Sequence, residues 1–361
     1  MRSWMFFGGI LVGMVCLGCS QSGDFGGGQR PRTSATRADV TDGGTGPAAS
    51  DLAGKVEVDG SSTVAPITSL ASDKFRKSYP KINVSVGVTG TGNGFKRFTT
   101  GETDISDASR PIKADEFAAC QANQVEFFEL PIAYDGLTFV IHPENDWCTQ
   151  LSVDDIRKIF REEDPAKTWK DVNADWPESE IKLFAPGTGS GTFDYFQEVL
   201  GKGIAIRADM STSENDNVLV QGVAGDKNAI GFFGAAYYFS NQEKLSAVKI
   251  INPETKQAVA PSQQTVISGA YAPYSRPLFI YVNAKSFKRP EVRKFVEFFL
   301  TNAADLAQEV MYFPLPEKVY ETTRANLETG KTGTHFVTSD GKHREGAFLE
   351  VFQAENIVNS R

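Results

Sequence analysis

Two hydrophobic periodicities alternate along the chain between residues 55 and 306. Alternating or short continuous apolar positions predict strands at 55–58, 82–88, 136–141, 181–185 and 277–282. Apolar residues three or four positions apart predict helices at 64–75, 193–200 and 290–306. Because helices follow strands, we expect an α/β fold with mostly parallel strand pairing.

The first 50 residues follow a different pattern. Arg2 precedes an uncharged, mostly apolar run from Trp4 to Gly18, which predicts a signal peptide over residues 1–18. The run ends in Cys16-Leu17-Gly18-Cys19-Ser20, which resembles the bacterial lipobox except that Cys16 stands where Leu is usual. We therefore expect lipidation of Cys19 and membrane attachment through that lipid, with an ordinary signal peptide or an uncleaved anchor as alternatives. Residues 19–50 are rich in Gly, Ser and Thr, which predicts a flexible tether.

Composition narrows the class of protein. The chain has 361 residues, a formal net charge of −8, 40% hydrophobic and 23% charged residues, as expected for about two soluble globular domains. The acidic balance argues against a nucleic-acid binder. Only three scattered histidines are present, so a histidine-based metal site or a Ser-His-Asp triad is not expected.

Two further cysteines, Cys120 and Cys148, lie in the globular part. An oxidising compartment would favour a disulfide between them, and the alternative is two buried free thiols.

Turns rich in glycine and hydroxyl groups supply the candidate chemistry. Gly60-Ser61-Ser62-Thr63 and Gly189-Ser190-Gly191-Thr192 each follow a predicted strand and open a predicted helix. Glycine lets a ligand approach the backbone, and helix N-termini offer unpaired N–H groups, so such turns suit an anion. Simple helix capping is the alternative for each turn. Arg110, in Ser-Arg-Pro, could add a charged fork or form an ordinary ion pair.

Enzyme motifs do not fit these turns. Thr188 occupies the first glycine position of Gly-x-Ser-x-Gly, and the turns carry no phosphate-loop Gly-Lys-Ser/Thr sequence. No metal-spaced His/Cys cluster is present, so we expect neither a metal nor another cofactor.

Four segments together resemble the phosphate-binding proteins of bacterial phosphate-specific ABC transporters. They are residues 58–66, 90–94, 104–111 and 189–193, and the likeness covers residues 52–320. The resemblance implies a two-lobed, type II-like periplasmic-binding-protein fold with the ligand between the lobes. It implies one lobe of residues 52–133 plus 269–320, a second lobe of residues 134–268, and a C-terminal extension (321–361) that packs on the head. The implied phosphate-binding residues are Ser62, Thr63, Val64, Thr91, Ser109, Arg110, Ser190, Gly191 and Thr192.

The sequence departs from the family pattern at two positions. Some members have an Asp where Ser109 aligns, and that Asp accepts the phosphate proton; some have an Arg where Pro186 aligns. Because an unmatched buried donor costs about 1–3 kcal/mol, another acceptor is needed. Asp59, Asp107, Asp135 or a hydroxyl are the candidates.

The expected function is therefore binding, without catalysis. We expect a periplasmic lipoprotein, monomeric, that captures inorganic phosphate and delivers it to the ABC permease subunits. The alternatives are a binding protein for sulfate, molybdate or tungstate, and an extracellular phosphatase on the same scaffold.

Overall fold

The structure is a computed structural model that describes residues 51–361 except Gly189, Lys202, Glu214, Glu345 and Arg361. The predicted signal peptide, Cys19 and the tether lie outside the described residues. In the described part, no helix is both long and apolar enough to cross a bilayer.

Strands and helices alternate through most of the described chain. The strands are β1 Gly54–Gly60, β2 Ile82–Val86, β3 Ile105–Ala108, β4 Phe127–Ile141, β5 Gln150–Leu151, β6 Lys182–Pro186, β7 Ser211–Ser213, β8 Ala229–Gly234, β9 Ser246–Ala247, β10 Lys249–Ile251, β11 Ala258–Val259 and β12 Ser275–Asn283. The α-helices are α1 Ala65–Ser78, α2 Thr91–Phe98, α3 Ala114–Ala122, α4 Val153–Phe160, α5 Trp169–Val172, α6 Gly191–Leu200, α7 Asp216–Ala224, α8 Ala235–Phe239, α9 Gln263–Ile267, α10 Pro290–Glu309, α11 Glu317–Glu328 and α12 Phe348–Val351.

One long strand connects the two halves of the main sheet. The strand order is β2-β1-β3-β12-β4-β8-β6-β7. Strand β4 pairs with β12 up to Gly136 and with β8 from Leu137 onwards. We call the half that holds β1, β2, β3 and β12 the first lobe, and the half that holds β6, β7 and β8 the second lobe. The α/β fold of two lobes is confirmed, whereas the lobe boundaries at 133/134 and 268/269 stay predictions.

Strand pairing is more mixed than expected. The pairs that β1 makes with β2 and β3, and those that β6 makes with β7 and β8, are parallel. The pairs that involve the connecting strands, namely β12 with β3 and β4 and β4 with β8, are antiparallel. The expectation of mostly parallel pairing was wrong, because the chain runs back through the molecule along β12.

The first lobe packs α1 and α10 against its half of the sheet. Four of the apolar positions that predicted α1, namely Val64, Ile67, Ala71 and Phe75, are all fully buried. Phe75 meets Phe295 of α10 with ring centroids 5.4 Å apart. Because each such side chain contributes about 1.5–3 kcal/mol when buried, this face fixes α1 and therefore the turn before it.

The two cysteines of the head are buried free thiols. Cys120 lies on α3, before β4, and Cys148 lies after it. Strand β4 has 15 residues and carries the chain roughly 45 Å from one lobe towards the other. The expected disulfide was therefore wrong and its alternative holds: both thiols are buried and unpaired, and the whole of β4 lies between them in the chain.

Candidate functional site

Three helix N-termini meet where the two lobes face each other. Helix α1 follows β1 through the turn Ser61–Val64, α2 begins at Thr91, and α6 follows β6. The loop after β3 starts at Ser109 and lies beside the same edge. The carboxyl ends of β1, β3 and β6 therefore collect the predicted turns in one place, as is typical of open α/β sheets.

Glycine is required at two positions of this arrangement. A Cβ on Gly60, at φ +144°, would lie 2.1 Å from the carbonyl oxygen of Asp107. Its absence lets the Ser61 amide donate to that oxygen at 2.9 Å. A Cβ on Gly191 would lie 2.6 Å from Cα of Thr63, so the N-terminus of α6 packs directly against the α1 turn.

A cleft of about 700 Å³ opens beside this contact. Four of the predicted site residues line it: Ser62, Thr63, Thr91 and Ser109. The other lining residues are Ser61, Gly90, Asp194, Gln197, Glu198, Gly201, Gly203, Ile204, Ala205 and Arg276.

The first-lobe side of the cleft, which we call the first wall, consists of Ser61–Thr63, Gly90, Thr91 and Ser109. Its hydroxyls are arranged by mutual hydrogen bonds. Thr91 Oγ1 lies 3.0 Å from Ser109 Oγ and accepts the Ser109 amide at 3.2 Å. None of the first-wall residues carries a formal charge.

The second wall is the face of α6 between Ser190 and Glu198. Ser190 caps the helix, because its Oγ accepts the Thr192 amide at 3.2 Å. The predicted donors Ser190, Gly191 and Thr192 border the α1 turn without lining the cleft itself. Two carboxylates of this wall do line it. Asp194 accepts a hydrogen bond of 2.5 Å from Ser62 Oγ, and Glu198 lies one turn further along the helix.

Arg276 lines the cleft, although the sequence prediction did not include it among the site residues. It lies on β12, is 7% exposed, and stacks its guanidinium 3.5 Å from the ring centre of Tyr195. Its Nη2 donates to Thr63 Oγ1 at 2.7 Å, and its Nη1 donates to Glu198 at 3.2 Å. Arg276 therefore places the positive charge of the cleft between the two walls. Arg276 directly precedes the predicted strand 277–282, and nothing in the local sequence distinguishes it from a surface charge.

Arg110 does not line the cleft. Its two terminal nitrogens donate to both oxygens of Glu116 at 2.8 and 2.7 Å, and its guanidinium lies 5.4 Å from the ring centre of Phe95. This geometry is that of an ordinary ion pair, which was the alternative to an anion-binding role for Arg110. The amide of Val64, another predicted donor, is 3.2 Å from the carbonyl oxygen of Ser61.

The three candidate proton acceptors are all behind the walls. Asp59 is paired with Arg97 and accepts from Thr89 Oγ1 at 3.0 Å. Asp135 lies 3.5 Å from Arg276, and burial raises the pKa of its carboxyl although Arg276 opposes the shift. Burial also raises the pKa of Asp107 to about 8, with the Thr68 hydroxyl opposing the shift and the charge of Asp59 adding to it. Asp107 therefore keeps its proton at neutral pH.

Among the described residues, no group of three or more His, Cys, Asp and Glu side chains is arranged to hold a metal ion.

Comparisons with known proteins agree with this geometry. A family model for the PBP superfamily domain matches residues 31–303. Protein SphX of Synechococcus elongatus (strain ATCC 33912 / PCC 7942 / FACHB-805) is 44% identical over 305 residues, 84% of this chain and 89% of that protein. The phosphate-binding protein PstS of Staphylococcus haemolyticus (strain JCSC1435) is 38% identical over 330 residues, 91% of this chain and 98% of that protein.

A solved structure supports the same assignment. The crystal structure of a possible phosphate binding protein from Planctomyces limnophilus DSM 3776 superposes with a TM-score of 0.75 at 42% identity. The match covers 78% of this chain and 99% of that one. The chain therefore belongs to the PBP superfamily and, within it, to the family of the phosphate-binding proteins named PstS.

Proposed function

We propose that this protein binds inorganic phosphate in the cleft and delivers it to an ABC permease for import. The observation that carries the proposal is the combination of neutral Ser and Thr hydroxyls, the N-termini of α1 and α2, and one buried guanidinium around a single cleft. Convergent donors of this kind suit a tetrahedral oxyanion, because each oxygen can accept hydrogen bonds in a desolvated site. The relatives of this protein are substrate-binding receptors, which favours phosphate binding over the phosphatase alternative.

The proposed ligand contacts come from both walls. Ser62, Thr63, Thr91 and Ser109 donate from the first wall, together with the Val64 amide. Ser190, Thr192 and the Gly191 amide, which border the cleft without lining it, would turn to the ligand from the N-terminus of α6. The bonds that these groups now make to each other, such as Thr63 Oγ1 to the Gly191 carbonyl at 3.1 Å, would be exchanged for bonds to the ligand.

Arg276 supplies the charge in this proposal. A guanidinium buried at the junction of the walls can form a charge-assisted pair with a phosphate oxygen without leaving its stack on Tyr195. Arg110 is the alternative cation, and it would have to release Glu116 to reach the ligand.

Asp194 is the proposed acceptor for a protonated phosphate oxygen. It lines the cleft with a carboxylate, whereas Asp59, Asp107 and Asp135 do not, and Glu198 already accepts from Arg276. An ionised carboxylate can only accept hydrogen bonds. It therefore favours an anion that carries a proton and repels sulfate, which carries none at neutral pH.

Closure of the lobes around β4 and β12 is the proposed mechanism of capture. We keep residues 52–133 plus 269–320 and residues 134–268 as the moving bodies. Closure excludes water and strengthens each donor. Small-angle scattering should show a contraction when phosphate is added, and identical profiles with saturating phosphate would count against hinge closure.

An extracytoplasmic location with a lipid on Cys19 completes the proposal. Cys19→Ser should move the protein from the membrane to the soluble fraction, because the acyl chains supply the membrane affinity. Unchanged membrane retention with an uncleaved signal would favour the uncleaved anchor instead.

The direct test is calorimetric titration of the protein after its bound anions have been removed by unfolding and refolding. We expect tight phosphate binding and much weaker binding of sulfate, molybdate and tungstate. Tight binding of one of these three in place of phosphate would establish the other-oxyanion alternative. Turnover of phosphate esters, tested with and without added divalent metal ions, would support the phosphatase alternative.

A further inference from the structure

A buried carboxylate outside the cleft is held by the C-terminal extension. Glu129 lies on β4, is 3% exposed, and is not a lining residue of the cleft. Thr334 Oγ1 donates to its Oε2 at 2.5 Å, the His335 amide donates to its Oε1 at 2.9 Å, and His335 Nδ1 lies 2.9 Å from the same oxygen. Three of the four groups that contact this carboxylate therefore come from the last 40 residues of the chain.

The fourth group connects Glu129 with the binding loop. The Tyr281 hydroxyl, on β12, donates to Glu129 Oε2 at 3.0 Å. The same hydroxyl oxygen accepts the backbone N–H of Ile112 at 2.9 Å. Because the Tyr281 O–H donates a hydrogen bond to the carboxylate, the lone pairs of its oxygen face the Ile112 N–H, and only this orientation of the hydroxyl satisfies both partners.

Ile112 belongs to the loop that carries Ser109 into the first wall. Ser109, three residues earlier, is bonded to Thr91 through both its amide and its hydroxyl. The ring of Tyr281 also packs 4.9 Å from Phe95, on the helix that Thr91 begins. Tyr281 therefore contacts both the helix that begins at Thr91 and the loop that carries Ser109.

Packing fixes the extension itself. Phe336, which follows His335, meets Phe279 of β12 with ring centres 5.5 Å apart. Phe348 lies 5.4 Å from Tyr134 of β4. The extension is therefore attached to both of the strands that connect the lobes.

We propose that Glu129 and Tyr281 are positioning residues for the phosphate site. We further propose that Thr334 and His335, in the C-terminal extension, hold the Glu129 carboxylate in place and thereby support phosphate binding. The proposal rests on the proposed function. Each bond in this chain of contacts is buried, so breaking one leaves a partner that no solvent can satisfy. The Ser109–Ile112 loop then samples other conformations. Part of the free energy of phosphate binding is used to order the loop, so the affinity for phosphate falls.

Tyr281→Phe tests the central contact, because it removes the hydroxyl and keeps the ring. We expect phosphate affinity to fall by about tenfold and hydrogen exchange at the Ile112 amide to accelerate. Tyr274→Phe is the matched control. The Tyr274 hydroxyl is also buried but has no hydrogen-bond partner among the described residues, so its removal should leave both quantities unchanged.

Thr334→Val tests the distant end of the same chain of contacts. It should weaken phosphate binding several-fold and accelerate exchange at Ile112, and Thr334→Ser should restore both. A lower melting temperature with wild-type phosphate affinity and unchanged exchange at Ile112, in both Tyr281→Phe and Thr334→Val, would overturn the inference and make the extension merely structural. If the wild-type protein does not bind phosphate, the proposed function fails, whereas exchange at Ile112 in the free variants still tests the coupling.

Discussion

The two walls of the cleft use different chemistry for the same task. The first wall presents neutral hydroxyls and helix N-termini, and the carboxylic acid behind it, Asp107, is protonated at neutral pH. The second wall presents two carboxylates, Asp194 and Glu198, one of which faces the Arg276 guanidinium. In the proposed site, the first wall would therefore attract any oxyanion, whereas the second wall would distinguish among oxyanions by their charge and protonation.

The difference also shows how an acidic protein can bind an anion. Its formal net charge is −8, yet the one cation that lines the cleft, among the described residues, is placed on the connecting strand β12. A local positive potential at the junction of two walls is sufficient, because the field in a desolvated cleft depends mainly on the nearest charges.

The largest effect is expected from Arg276→Gln. Loss of a buried cation from an anion site costs about 2–5 kcal/mol, so phosphate affinity should fall between roughly 30-fold and several thousand-fold in a calorimetric titration. Arg276→Lys should recover only part of the affinity, because an ammonium cannot reproduce the planar fork and the stack on Tyr195. Wild-type affinity in Arg276→Gln would transfer the role of the cation to another residue.

Asp194→Asn should change selectivity more than affinity. An amide can donate to sulfate, so the ratio of phosphate to sulfate affinity should fall tenfold or more, mostly through tighter sulfate binding. Glu198→Gln is the control in the same wall, and it should change the two affinities by similar factors. An unchanged ratio in Asp194→Asn would leave the acceptor role to one of the groups behind the walls.

The protonation of Asp107, the buried acid behind the first wall, makes the stability of the folded protein depend on pH. Its pKa is about 8 in the folded protein and about 4 when unfolded, so between these values the folded state holds one proton more. Stability should therefore fall as pH rises through this window, by up to about 1.4 kcal/mol per pH unit from this group.

Thermal unfolding between pH 5 and pH 8 measures this effect. Asp107→Asn should lose less stability over that range than the wild type. Asp175→Asn, which changes an exposed acid, should follow the wild-type curve. Parallel curves for Asp107→Asn and the wild type would show that Asp107 is ionised throughout.

The smallest effect is expected from Arg110→Ala. Because Arg110 is paired with Glu116, its removal should change phosphate affinity less than threefold and lower stability by about 1 kcal/mol. A loss comparable to that of Arg276→Gln would reverse the assignment and place Arg110 on the ligand.

The sequence predicted the parts of the site that depend on local chemistry. The turns before α1, α2 and α6 have the glycines and hydroxyls that helix N-termini use, and the structure brings them to one edge. It did not predict Arg276, because no local pattern distinguishes a charge on a connecting strand from a surface ion pair.

The missed features share a dependence on long-range contacts. Arg110 is the exception, because its partner Glu116 is only six residues away, on the next helix, and the sequence left the charged fork and the ion pair both open. The antiparallel pairing of β12 and the contacts of Arg276 with Thr63 and Glu198 both follow from the path of the chain through the molecule. Periodicity and spacing contain no information about that path.

The return of the chain to Glu129 also determines when the protein can finish folding. Glu129 is separated from His335 by 206 residues, and the first lobe further requires β12. At synthesis rates of about 5–20 residues per second, a nascent chain would wait roughly 10–40 s before Glu129 meets these partners. The strands of the second lobe come from one continuous stretch and can pair earlier. The half of the molecule whose strands come first in the chain is therefore completed last.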